Sequence, residues 1–256
     1  LPDWLPFGTQ DGCRVRLFCL PHAGGSATAY RPWQALAEPW IDLCPIELPG
    51  HGRRIAEPPS ADLDPLVTAL LDGIGAACDR PFAFLGHSAG ARLALACARR
   101  VGTPPRHLFV SAADLAPAGT LHMLPDPDLI AALRRIGGTP AAVLEHPGMM
   151  AALLPAIRAD LALAAEAAGR AGPPLAGPVT AFAGRADAAV SEAGIAAWAG
   201  TTSNSFTARW LPEGHFYSPA GVATVLRAIA DALRGEFRPV SSCAASRRSS
   251  PAPRRA

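Results

Sequence analysis

The stretch PFAFLGHSAGARLALACARR, residues 81–100, decides how the rest of this 256-residue chain is read. It opens with five apolar residues of strand character, Phe82 to Leu85 with Pro81 before them. It then passes through Gly86-His87-Ser88-Ala89-Gly90 and continues with helical spacing through residues 88–101. A serine between two glycines at a strand-to-helix junction is the pattern of a nucleophile elbow. The turn is too tight for side chains on either side, and it lifts the Ser88 hydroxyl to the carboxyl edge of a sheet. The Ala89 N–H points into the same space.

Outward from this block the same alternation recurs. Short runs rich in Val, Ile, Leu and Phe, bounded by Gly, Pro and Asp, predict strands at residues 14–20, 41–48, 81–86, 107–111, 178–183 and 206–211. Several are apolar at successive positions, as strands covered on both faces of a parallel sheet are. Helical spacing occupies residues 62–78, 88–101, 191–199 and 218–235, with Asp62, Ser88, Ser191 and Ser218 at their starts. The expected class is α/β, a mostly parallel sheet with helices on both faces. Between Ala113 and Pro178 the alternation stops. Residues 126–137 and 147–169 read as helices with no strand between them, so a helical lid is expected over about residues 115–175 of one domain spanning residues 1–238. The remainder, residues 239–256, is rich in Ser, Pro and Arg and lacks apolar periodicity, which predicts disorder.

Composition narrows the function classes. Half of the chain is apolar, with 24 glycines and 27 prolines, enough for a core without metal or disulfide staples. All 23 basic residues are arginine, and the formal charge is +2. Four of those arginines, Arg247, Arg248, Arg254 and Arg255, lie in the last 18 residues, so the body without them carries about −2. Such a body argues against nucleic acid as the main partner. The six cysteines, Cys13, Cys19, Cys44, Cys78, Cys97 and Cys243, form no CxxC pair, and no metal site is expected. Neither a basic leader with an apolar core nor a long uncharged apolar stretch is present, so a cytoplasmic protein without membrane association is expected.

A serine hydroxyl needs a base within hydrogen-bond reach to act as a nucleophile. Of seven histidines, His215 follows the last predicted strand in Pro-Glu-Gly-His-Phe, at the sheet edge where Ser88 also sits. His51, in Leu-Pro-Gly-His-Gly, suits a turn role as well as a chemical one. Two acids keep the chain order Ser, Asp, His: Asp187, after the strand at 178–183, and Asp114, after the strand at 107–111. Topology alone does not choose between them. For the oxyanion of a tetrahedral intermediate, the Ala89 N–H is one donor, and the loop Pro21 to Ser26 offers a second at Ala23.

Assembled, these pieces resemble the type II thioesterases, the stand-alone editing hydrolases of polyketide and nonribosomal peptide synthesis. The resemblance covers about residues 14–235. LFCLPHAGGSATAYRPW, ELPGHGRR and FLGHSAGARLALACAR look like the family's first three blocks. LRRIGGTPAAVLEHPGMMAALLPAIRADLAL is similar to its lid, and AGRADAAVS and LPEGHFY to its acid and histidine blocks. The resemblance implies an α/β-hydrolase fold, a catalytic Ser88, His215 and Asp187, and no cofactor. It also implies a substrate acyl group in thioester linkage to the phosphopantetheine arm of an acyl or peptidyl carrier protein. Two departures stand out: Ala89 replaces the family's usual methionine, and SAADLAP introduces Asp114. Arg31, Arg53 and Arg54 are candidates for contact with phosphate or an acidic carrier. The alternatives are a small-molecule esterase or acyltransferase on the same scaffold, and a non-catalytic carrier-binding protein.

Overall fold

A computed structural model describes residues 3–115 and 120–236. Six strands make one sheet: β1 (Val15–Leu20), β2 (Ile41–Pro45), β3 (Phe82–His87), β4 (Leu108–Ser111), β5 (Val179–Gly184) and β6 (Phe206–Leu211). Their spatial order is β2-β1-β3-β4-β5-β6, and every pairing is parallel. All residues of β1 to β5 are buried, which is why these strands read as continuous apolar runs rather than alternating ones. The predicted strand over residues 41–48 ends early, at Pro45, where pairing with β1 stops opposite Cys19.

Helices cover both faces. On one, α2 (Leu63–Ile74), α3 (Ala89–Arg100) and the short α7 (Glu192–Ala196) pack Leu66, Leu70, Leu93 and Ile195 onto Phe18, Phe84 and Val110. On the other, α1 (Arg31–Gln34) and α8 (Pro219–Glu236) pack Trp33, Val225 and Ile229 onto Leu17, Leu85 and Phe109. Serine caps behave as their chemistry predicts at α7, where Ser191 Oγ accepts the Gly194 N–H, and at α8, where Ser218 Oγ accepts that of Gly221. Asp62 precedes α2 without making such a bond.

The segment between β4 and β5 contains α4 (Asp126–Ile136), α5 (Ala141–Leu144) and α6 (Pro147–Gly169), and no strand among its described residues. These helices have a small core of their own, Leu129, Leu133, Leu144, Met150, Leu154 and Ile157. The far end of α6 is different, because Leu163 and Ala167 join the main core beside α3. Helix α6 is long and apolar enough to cross a membrane, but Asp160 within it is buried and paired, as in a core helix. The residues of the predicted disordered tail, 239–256, lie outside those described.

Five cysteines are described and free. Cys13, Cys19, Cys44 and Cys97 are buried, and burial pushes the Cys97 thiol up to about 12. They act as small apolar residues. One buried ion pair ties the first two strands together: Arg16 Nε lies 3.2 Å from Asp42 Oδ2, and its Nη1 donates to Ala77 O and to Asp79. Arg16 and Asp42 are both nearly inaccessible. Arg16→Met would leave the Asp42 carboxylate uncompensated, and a loss of about 3–5 kcal/mol in urea denaturation is expected. A loss below about 1 kcal/mol would contradict this account of the pair.

Candidate active site

The junction of β3 and α3 is built by contact of backbone with backbone. Ser88 has φ 55 and ψ −120, a left-handed conformation costing on the order of 1–3 kcal/mol for a residue with a side chain. A Cβ on Gly86 would lie 2.2 Å from Gly90 O, and one on Gly90 would lie 2.3 Å from both Leu20 O and Pro21 O. Only glycine fits at either position. The Ser88 N–H donates to Ser111 O at 2.7 Å, tying the turn to β4.

The loops after β5 and β6 meet this turn. Arg185 N donates to Leu211 O and Ala186 N to Glu213 O, so the two loops are joined through their backbones. Glu213 in turn accepts from the N–H and hydroxyl of Ser218, which shapes the loop ahead of α8. His215 Nε2 lies 3.0 Å from Ser88 Oγ, and His215 Nδ1 lies 2.8 Å from Asp187 Oδ2. Asp187 Oδ1 accepts the Ala189 N–H, which leaves its other oxygen to the imidazole. Asp114 is elsewhere: both its oxygens accept from Ser191, the N–H at 3.0 Å and the hydroxyl at 2.8 Å. Of the two acids left open by topology, the fold brings Asp187 to His215.

The loop Pro21–Ser26 sits beside the serine because Gly90 packs on its first carbonyls. It makes a tight turn, with Gly25 N donating to His22 O and Gly24 at φ 73. N–H groups of the loop and of the residue after it go to acids from other segments: Gly24 N to Asp160 Oδ2 at 2.8 Å and Ala27 N to Glu47 Oε1 at 2.9 Å. The N–H groups of Ala23 and Ala89 have no acceptor among the described residues. A cavity of about 660 Å³ opens over the serine, lined by Ser88, His215, Arg92, Arg135, Ala132 and Leu161. The helical segment between β4 and β5 and the sheet's carboxyl edge therefore both contribute walls.

Four further findings lay beyond sequence reasoning. His87 is buried, its Nδ1 3.1 Å from Ser111 Oγ, and that hydroxyl is 2.7 Å from the Tyr217 hydroxyl. Phe216 packs between the rings of His22, His87 and His215. Asp160, on α6, is buried against His51, whose sequence context suited a turn role as well as a chemical one. The three arginine candidates are occupied locally. Arg31 stacks on Phe7 and Arg54 on Trp4, Arg54 also bonds Glu57, and Arg53 donates to Pro6 O. Among the described residues no cluster of three or more His, Cys, Asp or Glu has metal-binding geometry.

Residues 15–233 match the thioesterase domain family. The gramicidin S biosynthesis protein GrsT of Aneurinibacillus migulanus is 37% identical over 216 residues, covering 81% of this chain and 84% of that protein. Among solved structures, the type II thioesterase BorB from the borrelidin biosynthetic cluster is 36% identical with a TM-score of 0.79, covering 90% of this chain and 98% of that one. The RedJ thioesterase from the prodiginine pathway of Streptomyces coelicolor is 34% identical, TM-score 0.78, over 86% of each chain.

Burial, reinforced by the neighbouring His215 and His51, lowers the pKa of His22 to about 4. The folded state therefore holds this ring neutral, whereas the unfolded chain protonates it near 6.5. The associated stability is complete above pH 6.5 and is lost as pH falls toward 4, by up to about 3 kcal/mol. Denaturation of His22→Asn at pH 7.5 and 4.5 should show a smaller acid-induced loss than the parent. Equal losses would contradict the assignment.

Proposed function

The chain belongs to the thioesterase domain family and is a thioester hydrolase, and we propose that Ser88, His215 and Asp187 are its catalytic triad. The observation that carries this reading is the unbroken chain of contacts from Asp187 Oδ2 through His215 to Ser88 Oγ. His215 Nε2 takes the Ser88 proton as the serine oxygen attacks the thioester carbonyl. Asp187 holds the proton on Nδ1, so that Nε2 is the basic nitrogen, and stabilises the imidazolium that forms. The oxyanion is met by the N–H groups of Ala23 and Ala89, and the start of α3 adds its positive dipole. Collapse of the intermediate breaks the carbon–sulfur bond, and the thiol leaves with the proton from His215. A water activated by the same imidazole then attacks the acyl-serine, releasing the acid and restoring Ser88.

The substrate we propose is an acyl group on the phosphopantetheine arm of a carrier protein of polyketide or nonribosomal peptide assembly. GrsT, BorB and RedJ, by their names, belong to biosynthetic pathways, and their likeness extends over nearly the whole body of this chain. Helices α4 and α6, within the lid segment of about residues 115–175, wall the cavity with Ala132, Arg135 and Leu161, so the arm enters beside them and movement of α4 gates turnover. With Arg31, Arg53 and Arg54 engaged locally, and Arg92 in the cavity wall donating to Asp114 O, the better-placed cation is Arg135, which lines the cavity itself. The free cysteines fit a reducing, cytoplasmic setting. An esterase would use the same triad on an oxygen ester with an alcohol as leaving group, and an acyltransferase would pass the acyl group to an alcohol or amine in place of water.

Two measurements test this reading. Hydrolysis of acyl-carrier thioesters should exceed that of matched oxygen esters by at least about 100-fold, whereas a preference for oxygen esters, or transfer to added alcohols faster than hydrolysis, would favour the alternative. Ser88→Ala and Asp187→Asn should each lower kcat/KM by on the order of 10⁴-fold. Asp114→Asn should cost less than about 10-fold. The reverse order for the two acids would move the assignment.

A further inference from the structure

Asp160 lies in α6, is 4% exposed, and is surrounded by the loop that precedes α1 and by the loop after β2. A carboxylate taken this far from water needs strong partners. It has two among the described residues. Its Oδ2 accepts the Gly24 N–H at 2.8 Å, and the same oxygen lies 2.9 Å from His51 Nε2, off the axis of an ideal hydrogen bond. His51 Nδ1 is 3.0 Å from Pro49 O, an oxygen that only accepts, so Nδ1 carries a proton. Burial works against a charged ring here, but the bond and charge of Asp160, the Pro49 carbonyl and Glu47 outweigh it, and the His51 pKa is raised.

The contact falls at a telling place in the loop. Residues 22–25 form a turn closed by Gly25 N donating to His22 O, with Ala23 and Gly24 at its centre. The closing bond of such a turn uses neither of the two central N–H groups. One, that of Gly24, is consumed by Asp160; the other, that of Ala23, is free of any acceptor among the described residues. The Gly24 N–H lies in the peptide plane that follows Ala23, so holding it fixes the backbone on one side of the Ala23 donor. Helix α6 also touches this spot directly, since a Cβ on Gly24 would lie 2.5 Å from Ile157 Cγ1. Three residues on, Glu47 accepts the Ala27 N–H and completes a second hold on the same loop.

We propose that Asp160 is a positioning residue of the oxyanion hole: by holding the Gly24 N–H, and being held by His51, it aims the Ala23 N–H at the carbonyl attacked by Ser88. The inference rests on Ser88 being the nucleophile. It also divides α6 by task. Residues through Arg158 pack with the lid, Ile157 in its core and Arg158 bonded to His122 O and Asp126, whereas Asp160, Leu163 and Ala167 face the loop before α1 and the main core.

The test is the rate at which a fluorophosphonate modifies Ser88, because the phosphoryl oxygen of that reagent occupies the oxyanion position. Turnover of an acyl-pantetheine thioester is measured in parallel. Asp160→Ala should slow modification and kcat by about 30-fold or more, with KM changed by less than about 3-fold. Asp160→Asn keeps, in its amide oxygen at the place of Oδ2, an acceptor for the Gly24 N–H while losing the charge that faces His51, and it should recover to within about 5-fold of the parent. His51→Gln, which keeps Asp160 and loses its ring partner, should lie between the two. Melting temperatures establish that each variant is folded. If Asp160→Ala does not fold, unchanged modification rates in both Asp160→Asn and His51→Gln overturn the inference, and a graded loss upholds it. A folded Asp160→Ala modified at the parent rate, or one whose loss lies wholly in KM, also overturns it. Absence of any modification at Ser88 in the parent would instead overturn the nucleophile assignment itself.

Discussion

The structure depends most on the contact at Gly90, where the first turn of α3 rests on the carbonyls of Leu20 and Pro21 with no room for a single added carbon. This contact joins the end of β3 to the end of β1, the neighbours at which the strand order reverses direction. A crevice opens at such a switch point beyond the carboxyl ends of the strands. In one stroke the contact places the Ser88 hydroxyl, the Ala89 N–H and the loop carrying Ala23 around a common space. The left-handed conformation of Ser88 is the strain stored to achieve this, and the Ser111 carbonyl that accepts its N–H helps to retain it.

Carboxylates, three of them buried and Asp114 half-buried, organise the remainder of the site. Asp187 orients His215, Asp160 and Glu47 hold the loop before α1, and Asp114 secures the start of α7 through Ser191. Each carboxylate sits where a backbone N–H or a hydroxyl would otherwise lack a partner, so the cost of burying the charge is offset by groups that needed an acceptor. The same economy explains why Asp114, sited after a strand at the correct edge, is not near the histidine. Its oxygens are already committed to α7, and its backbone carbonyl accepts from Arg92.

Much of this was legible in the residues themselves. The burial of β1 to β5 on both faces left continuous apolar runs, and the glycines about Ser88 announced the elbow, so the α/β class and the positions of Ser88 and His215 could be read directly. The choice between Asp187 and Asp114 could not, because both acids follow strands in the same chain order and only side-chain direction separates them. Asp160 was hidden for another reason. It reads as one polar residue in a lid helix, and its partners lie 136 positions away at Gly24 and on the distant loop of His51. The one available signal was a carboxylate in the middle of an alanine- and leucine-rich helix, where solvation is poor. The loop arginines show a further limit, since stacking on Phe7 and Trp4 is a contact that spacing does not reveal.

The central claim is that thioester cleavage proceeds through an ester to Ser88. Rapid-quench mass spectrometry of the enzyme mixed with an acyl-pantetheine thioester tests it most directly. The account predicts, within the first turnover, an added mass equal to the acyl group, localised to the peptide containing Ser88, followed by decay at the rate of acid release. Acid release in that first turnover with no acyl mass on the protein, or with the acyl group on a residue other than Ser88, would contradict it.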